Sequence, residues 1–135
     1  MLIGEEFEVP LAELVELYAA VGWTAYQPEA LRKGVAGSSF VVTARIEHRL
    51  VGLARAISDD ATICYLQDVL VHPDAQRQGI GRALVRAVLD RYATVRQKVL
   101  LTDDEPAQRA FYESLGYAEI RDFGAGTLRG FVRYD

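Results

Sequence analysis

The sequence predicts an α/β fold: a mixed, largely antiparallel twisted sheet of about six to seven strands flanked by about four helices, within one domain spanning residues 1–135. Three observations lead there. Of the 135 residues, 50% are hydrophobic and 25% charged, which supplies one core and not two. Stretches with a helical period alternate with short β-branched and aromatic runs. No internal repeat, low-complexity tract or Pro/Gly/Ser-rich linker interrupts them.

After Pro10, the residues Leu11, Leu14, Val15, Leu17, Tyr18 and Val21 recur at helical spacing, and Gly22 is placed to end the helix. Pro28 to Val35 forms a second, shorter helix limited by Gly34 and Gly37, and the loop between the two carries Trp23 and Tyr26. Ser39–Arg45 and Arg49–Ile57 read as strands joined by a short hairpin at Glu47-His48. Ala61–Val71 is a long apolar strand stopped by His72-Pro73, since proline lacks a backbone donor and restricts its predecessor. Ile80, Ala83, Leu84, Ala87, Val88 and Leu89 then set an apolar stripe on an amphipathic helix from Gly79 to about Tyr92. Val99–Thr102 is a short strand, Pro106 opens a helix through Leu115 that Gly116 can end, and Tyr117–Ile120 and Leu128–Tyr134 are expected as closing strands.

The formal net charge is −4, which argues against unspecific adhesion to nucleic acid or anionic membranes. The charge is uneven. Residues 76–109 hold seven basic and four acidic side chains, whereas residues 1–75 hold five basic and eleven acidic ones. The lone Cys64 cannot form an internal disulfide and reads as a core residue in a buried strand. The acidic Met1–Pro10 segment has no leader-like apolar run, and no stretch reaches the roughly 18 apolar residues of a membrane span, so a cytoplasmic protein is expected.

Between the long strand and the amphipathic helix lies Gln76-Arg77-Gln78-Gly79-Ile80-Gly81-Arg82. Glycines permit close backbone approach, and free N–H groups at a helix start favour a pyrophosphate. A P-loop requires Gly-Lys-Ser/Thr where this chain has Gly81-Arg82-Ala83, and a dinucleotide fingerprint requires a third glycine or alanine where it has Leu84. Val69-Leu70-Val71-His72-Pro73 followed by Gln76-x-x-Gly79-x-Gly81 resembles instead the acetyl-coenzyme A signature of the GNAT N-acetyltransferase superfamily. Phe111-Tyr112-Glu113-Ser114-Leu115-Gly116-Tyr117 is similar to that superfamily's second helical motif, and the element order from Leu11 to Tyr134 matches as well.

The resemblance implies acetyl-CoA as co-substrate, no metal, and direct attack of an amine on the thioester in a ternary complex. It implies that the backbone of Val69, Leu70 and Val71 pairs with the pantetheine arm, with the Leu70 N–H donating to the oxyanion. It gives the pyrophosphate to the loop that starts at Gln76, through the N–H groups of Arg77, Gln78, Gly79, Ile80, Gly81 and Arg82. The two arginine side chains add charge or are simply solvated. Tyr112 is the candidate acid for the departing thiolate, against a packing role. Asp68 is read either as a base or water-ordering group or as a hydrogen-bond acceptor at a strand bend; Gln67, set by alternation on the opposite face, can order water at the substrate. His72 is read as a catalytic group or, in preference, as a cap on its loop. An asparagine common in the family seven residues before the tyrosine is Glu105 here, preceded by Asp103-Asp104, which suits helix capping.

Trp23 and Tyr26 are the expected acceptor contacts, by stacking on an aromatic or cationic group, or else plugs at the core edge. The expected acceptor is a small-molecule primary amine, of the arylalkylamine kind that the Gly-Trp pair resembles. A protein or peptide amine and a non-catalytic acyl-CoA-binding regulatory module are the alternatives. Homodimers are common among such relatives.

Overall fold

The computed structural model describes residues 1–135, in two compact units, Met1–Leu101 and Thr102–Asp135. The first unit contains the strands β1 (Leu2–Glu5), β2 (Phe40–Ile46), β3 (Arg49–Ser58), β4 (Ile63–Val71) and β5 (Gln97–Leu100) in one sheet of order β1-β2-β3-β4-β5. Each neighbouring pair is antiparallel except β4 and β5, which run parallel. The same unit holds the helices α1 (Leu11–Ala20), α2 (Pro28–Ala36) and α3 (Ile80–Arg91).

Each helix follows from its local sequence. Gly22 ends α1 with φ +80, and the N–H groups of Gly22 and Trp23 turn back to the carbonyls of Ala19 and Tyr18 at 3.0 and 2.9 Å. Pro28 sits in the first turn of α2, where no backbone donor is needed. Gly34 lies inside α2 instead of ending it; a Cβ there would stand 3.6 Å from the Arg55 guanidinium, so its absence lets that side chain lie close to the helix. The Glu47-His48 hairpin turn holds both residues at positive φ, as a two-residue connection between twisted strands requires.

One face of the sheet is covered by α1 and α2, whose Leu14, Leu17, Tyr18, Leu31 and Val35 pack with Val41, Leu53 and Leu70. The other face receives α3 through Ile80, Leu84, Val85 and Val88. Gly52 marks the closest approach: a Cβ there would meet Ile80 Cγ2 at 3.0 Å and Leu84 Cδ1 at 3.1 Å. Cys64 is buried in β4, and burial pushes its thiol up. No helix is long and apolar enough to cross a membrane.

The second unit contains α4 (Pro106–Ser114) and a short 3-10 turn at Phe123–Gly126. The sheet therefore has five strands, not the six to seven expected. Leu2–Glu5 adds a strand that the sequence reading left unassigned, and the segments Tyr117–Ile120 and Leu128–Tyr134 are not strands. A strand requires a neighbour for its N–H and C=O groups, whatever its composition. The Tyr117 N–H instead caps α4 on the Tyr112 carbonyl at 3.1 Å, and those of Asp122 and Phe123 close turns on Glu119 and Ile120.

Candidate active site

Along β4, β5 reaches only as far as the pair Leu66 and Leu100, whereas β4 continues to Val71. From Gln67 to Val71 the strand has β3 on one side and no fifth strand on the other. The His72 N–H donates to the Val51 carbonyl at 2.7 Å, which fixes the phase of the antiparallel ladder. Alternation then turns the N–H and C=O of Asp68 and Leu70 toward β3, and those of Val69 and Val71 toward the open side. This corrects the expectation for Leu70: its N–H belongs to the β3 ladder and its side chain to the core, and Val69 is the neighbour whose N–H faces outward.

The register slips opposite Arg55 and Ala56. Arg55 faces Asp68 while Ala56 faces Leu66, so Gln67 is the extra residue of a β-bulge. Leu66 shares the α3 face with Ala56 and Gly52, while Asp68 and Leu70 lie with Arg55 and Leu53 on the face of α1 and α2. Simple alternation thus does not run through Gln67, so it does not set Gln67 and Asp68 on opposite faces as expected.

Asp68 is buried, and its Oδ2 accepts from two donors, Arg55 Nε at 2.6 Å and the Tyr18 hydroxyl at 2.8 Å. Arg55 also donates through Nη1 to the Gly34 carbonyl and the Ser38 hydroxyl, each at 3.2 Å. Burial opposes the Arg55 charge, but the adjacent Asp68 outweighs it and holds the guanidinium above its ordinary pKa. Burial, reinforced by the Asp68 charge, raises the Tyr18 phenol. Neither Tyr18 nor Arg55 was singled out from the sequence. The available signal was an arginine and an aspartate standing inside otherwise apolar strands, which only pairing makes tolerable.

After β4, His72 Nδ1 accepts from the Asp74 N–H at 3.1 Å and so caps the turn Pro73–Ala75. Gln76 Nε2 donates to the Val71 carbonyl at 3.3 Å, on the open side of the strand. Arg77 adopts φ +64 and Gly79 φ +78, and Gln76, Arg77, Gln78 and Gly79 are exposed. Gly79 is the N-cap of α3 without a side-chain cap, and no acidic residue occupies the first turn, which contains Gly81 and Arg82. At the start of this twelve-residue helix, with Ile80 buried beneath it, the N-cap residue supplies no side-chain hydrogen bond and no first-turn carboxylate would repel an anion. The open strand edge and this uncapped helix start fit the amides and the pyrophosphate of a coenzyme A molecule respectively.

Trp23 and Tyr26 line one cavity of about 210 Å³ with Val15, Tyr18, Ala19 and Leu31, at the junction of α1 and α2. Tyr18 and Trp23 meet edge to face with ring centroids 6.2 Å apart. In the second unit Tyr112 lies on α4 between Phe111 and Tyr117, in edge contacts of 5.0 and 5.9 Å, and burial pushes its phenol up. Glu105 is the N-cap residue of α4, but its side chain makes no capping hydrogen bond; its carbonyl receives the N–H groups of Gln108 and Arg109.

A family model described as an acetyltransferase (GNAT) domain matches residues 20–125. A GNAT-family acetyltransferase from Streptococcus pneumoniae TIGR4 superposes with a TM-score of 0.87 and 28% identity, covering 99% of this chain and 97% of that one. The N-acetyltransferase ycf52 of Pyropia yezoensis is 27% identical over 84% of this chain and 68% of its own length. Serotonin N-acetyltransferase 2, chloroplastic, of Oryza sativa subsp. japonica is 32% identical over 90% of this chain; the chain spans 60% of that relative's length.

Proposed function

The chain belongs to the GNAT acetyltransferase family, and on that premise we propose that it transfers the acetyl group of acetyl-CoA directly to the primary amine of a small arylalkylamine. The observation that carries the acceptor class is the half-open recess lined by Val15, Tyr18, Ala19, Trp23, Thr24, Tyr26, Pro28 and Leu31, mostly apolar and with three aromatic rings. The rice relative's name, which specifies serotonin, an arylalkylamine, agrees with it. The acidic excess of residues 1–75 favours a cationic amine on that side.

Acetyl-CoA, once bound, supplies the thioester carbon that the amine attacks. The outward backbone of Val69 and Val71 pairs with the pantetheine arm, and the loop from Gln76 through Arg82 holds the pyrophosphate with its N–H groups. The Val69 N–H, in place of that of Leu70, stabilises the oxyanion as the nitrogen–carbon bond forms. The acceptor ammonium first loses a proton to water near Gln67 and attacks as the free amine; as the carbon–sulfur bond breaks, Tyr112 gives its proton to the thiolate and regains one, through water, from the nitrogen of the new amide. Asp68, with Oδ2 engaged by Arg55 and Tyr18, takes the acceptor role at the strand bend and not that of the base.

Release of free thiol from acetyl-CoA, measured against 2-phenylethylamine, tryptamine, spermidine, an aminoglycoside and a lysine peptide, tests the proposal. Turnover is expected to be greatest with the two arylalkylamines. Turnover on the peptide alone would make the protein a peptide acetyltransferase, and acetyl-CoA binding without turnover would make it a non-catalytic acyl-CoA module.

A further inference from the structure

We propose that Tyr18 is a positioning residue for acetyl transfer, joining the wall of the acceptor cavity to the bulge of β4 through its hydrogen bond to Asp68, an inference that rests on the transfer reaction proposed above. Tyr18 does two things at once. Its ring lines the cavity beside Trp23, and its hydroxyl reaches a carboxylate fifty positions away in sequence at 2.8 Å. Asp68 closes the bulge, and the next residue is Val69, whose N–H faces the open edge. The direction of that N–H depends on how the bulge is held, because an inserted residue leaves the local ladder without its regular pairing.

Arg55 alone neutralises Asp68, so charge balance does not require a tyrosine at position 18. Leu14 and Leu17 show that α1 can fill this core with aliphatic groups. A buried hydroxyl is unfavourable unless bonded, and here its bond is directed at the one carboxylate on which α1, α2, β3 and β4 converge, through Tyr18, through Gly34 and Ser38 by way of Arg55, and through Asp68 itself. A residue that shapes the acceptor wall and also orients the backbone beside the acyl carbon sets the two reactants relative to each other.

Tyr18→Phe isolates the hydroxyl: it keeps the ring in the cavity and leaves the Arg55–Asp68 pair intact, so the fold persists. With acetyl-CoA and 2-phenylethylamine, kcat is expected to fall about tenfold while the amine KM stays within about twofold. Amide exchange at Asp68, whose N–H turns into the β3 ladder beside the bulge, is expected to quicken about tenfold. Tyr18→Leu, which removes the ring as well, is expected to raise the amine KM in addition. A lowered melting temperature with unchanged kcat and unchanged Asp68 exchange in Tyr18→Phe overturns the proposal, as does a rise in KM alone. If the wild-type protein acetylates no amine, the transfer reading has failed separately, and Asp68 exchange then decides the point: unaltered exchange overturns the coupling of Tyr18 to the bulge.

Discussion

Gln76 donates its side-chain amide to the carbonyl of Val71 at 3.3 Å, so the first residue of the glycine loop is fastened to the last residue of β4. The bond lies on the open side of the strand and sets where the loop begins relative to the edge proposed for the pantetheine arm. Gln76→Ala is expected to weaken acetyl-CoA binding about fivefold, the loss of one ordinary hydrogen bond, in a calorimetric titration. Unchanged affinity would show that the loop holds its place without that tie.

Arg77 occupies the left-handed region at φ +64, where a side chain is unfavourable. Arg77→Gly relieves the backbone and Arg77→Ala does not, yet both remove the charge. Both variants are expected to bind coenzyme A more weakly, with a smaller dependence on salt, and only Arg77→Gly is expected to gain stability, by up to about 1 kcal/mol in denaturant unfolding. Equal stability of the two would deny the strain.

At Gly52 a Cβ would stand 3.0 Å from Ile80 Cγ2, 3.1 Å from Leu84 Cδ1 and 3.3 Å from Ala44 Cβ, so in Gly52→Ala the side chains at the start of α3 or the sheet beneath them must give by a few tenths of an ångström. A destabilisation of about 1–3 kcal/mol is expected on unfolding. Because that helix start is the proposed pyrophosphate site, acetyl-CoA affinity should fall with it; a stability loss with full affinity would mean that the sheet, and not α3, yields.

Glu6 bonds Arg45 through both oxygens, at 2.7 and 3.1 Å, and accepts from Thr43 as well. Arg45 foremost, with Thr43, holds its carboxyl below the usual value of 4.5 against the opposing effect of burial. A carboxyl lowered in the folded state contributes stability above its unfolded pKa and loses it as the pH falls through the folded one. Glu6→Gln is therefore expected to be about 1–2 kcal/mol less stable than wild type at pH 7, with the difference shrinking as the pH drops below 4.5. A pH-independent difference would assign the effect to packing.

Burial raises the Tyr112 phenol above 10.0, so it stays protonated and able to donate throughout the ordinary working range. Tyr112→Phe is expected to lower kcat about tenfold or more with little change in acetyl-CoA affinity. Any basic limb in the wild-type profile below pH 10.0 should persist in the variant, because it arises from another group. Unchanged turnover would remove Tyr112 from the chemistry.

Much of the helical structure in both units is readable from local pattern. Pro28, Gly22 and Pro106 act at helix ends because of their own backbone chemistry, and the stripe from Ile80 to Val88 follows from the helical period alone. Val69, Leu70 and Val71 stand out through the family resemblance of their motif, and the loop from Gln76 to Arg82 both through that resemblance and through its own glycines before a helix. Leu128–Tyr134 has the composition of a strand and is none; Leu2–Glu5 is one with little to mark it, because β2 supplies its partner.

The phase of β4 was beyond local pattern. Which of Val69 and Leu70 turns its N–H outward depends on where β3 pairs and on one extra residue at Gln67, and the pairing involves residues well separated in the chain. The meeting of Tyr18, Arg55 and Asp68 is of the same kind. Residue types and short-range order mark a glycine loop between a strand and a helix. Register and long-range burial decide which backbone groups face the open edge and which buried charge lies beside them, because hydrogen-bond direction in a sheet belongs to pairs of strands and not to any one of them.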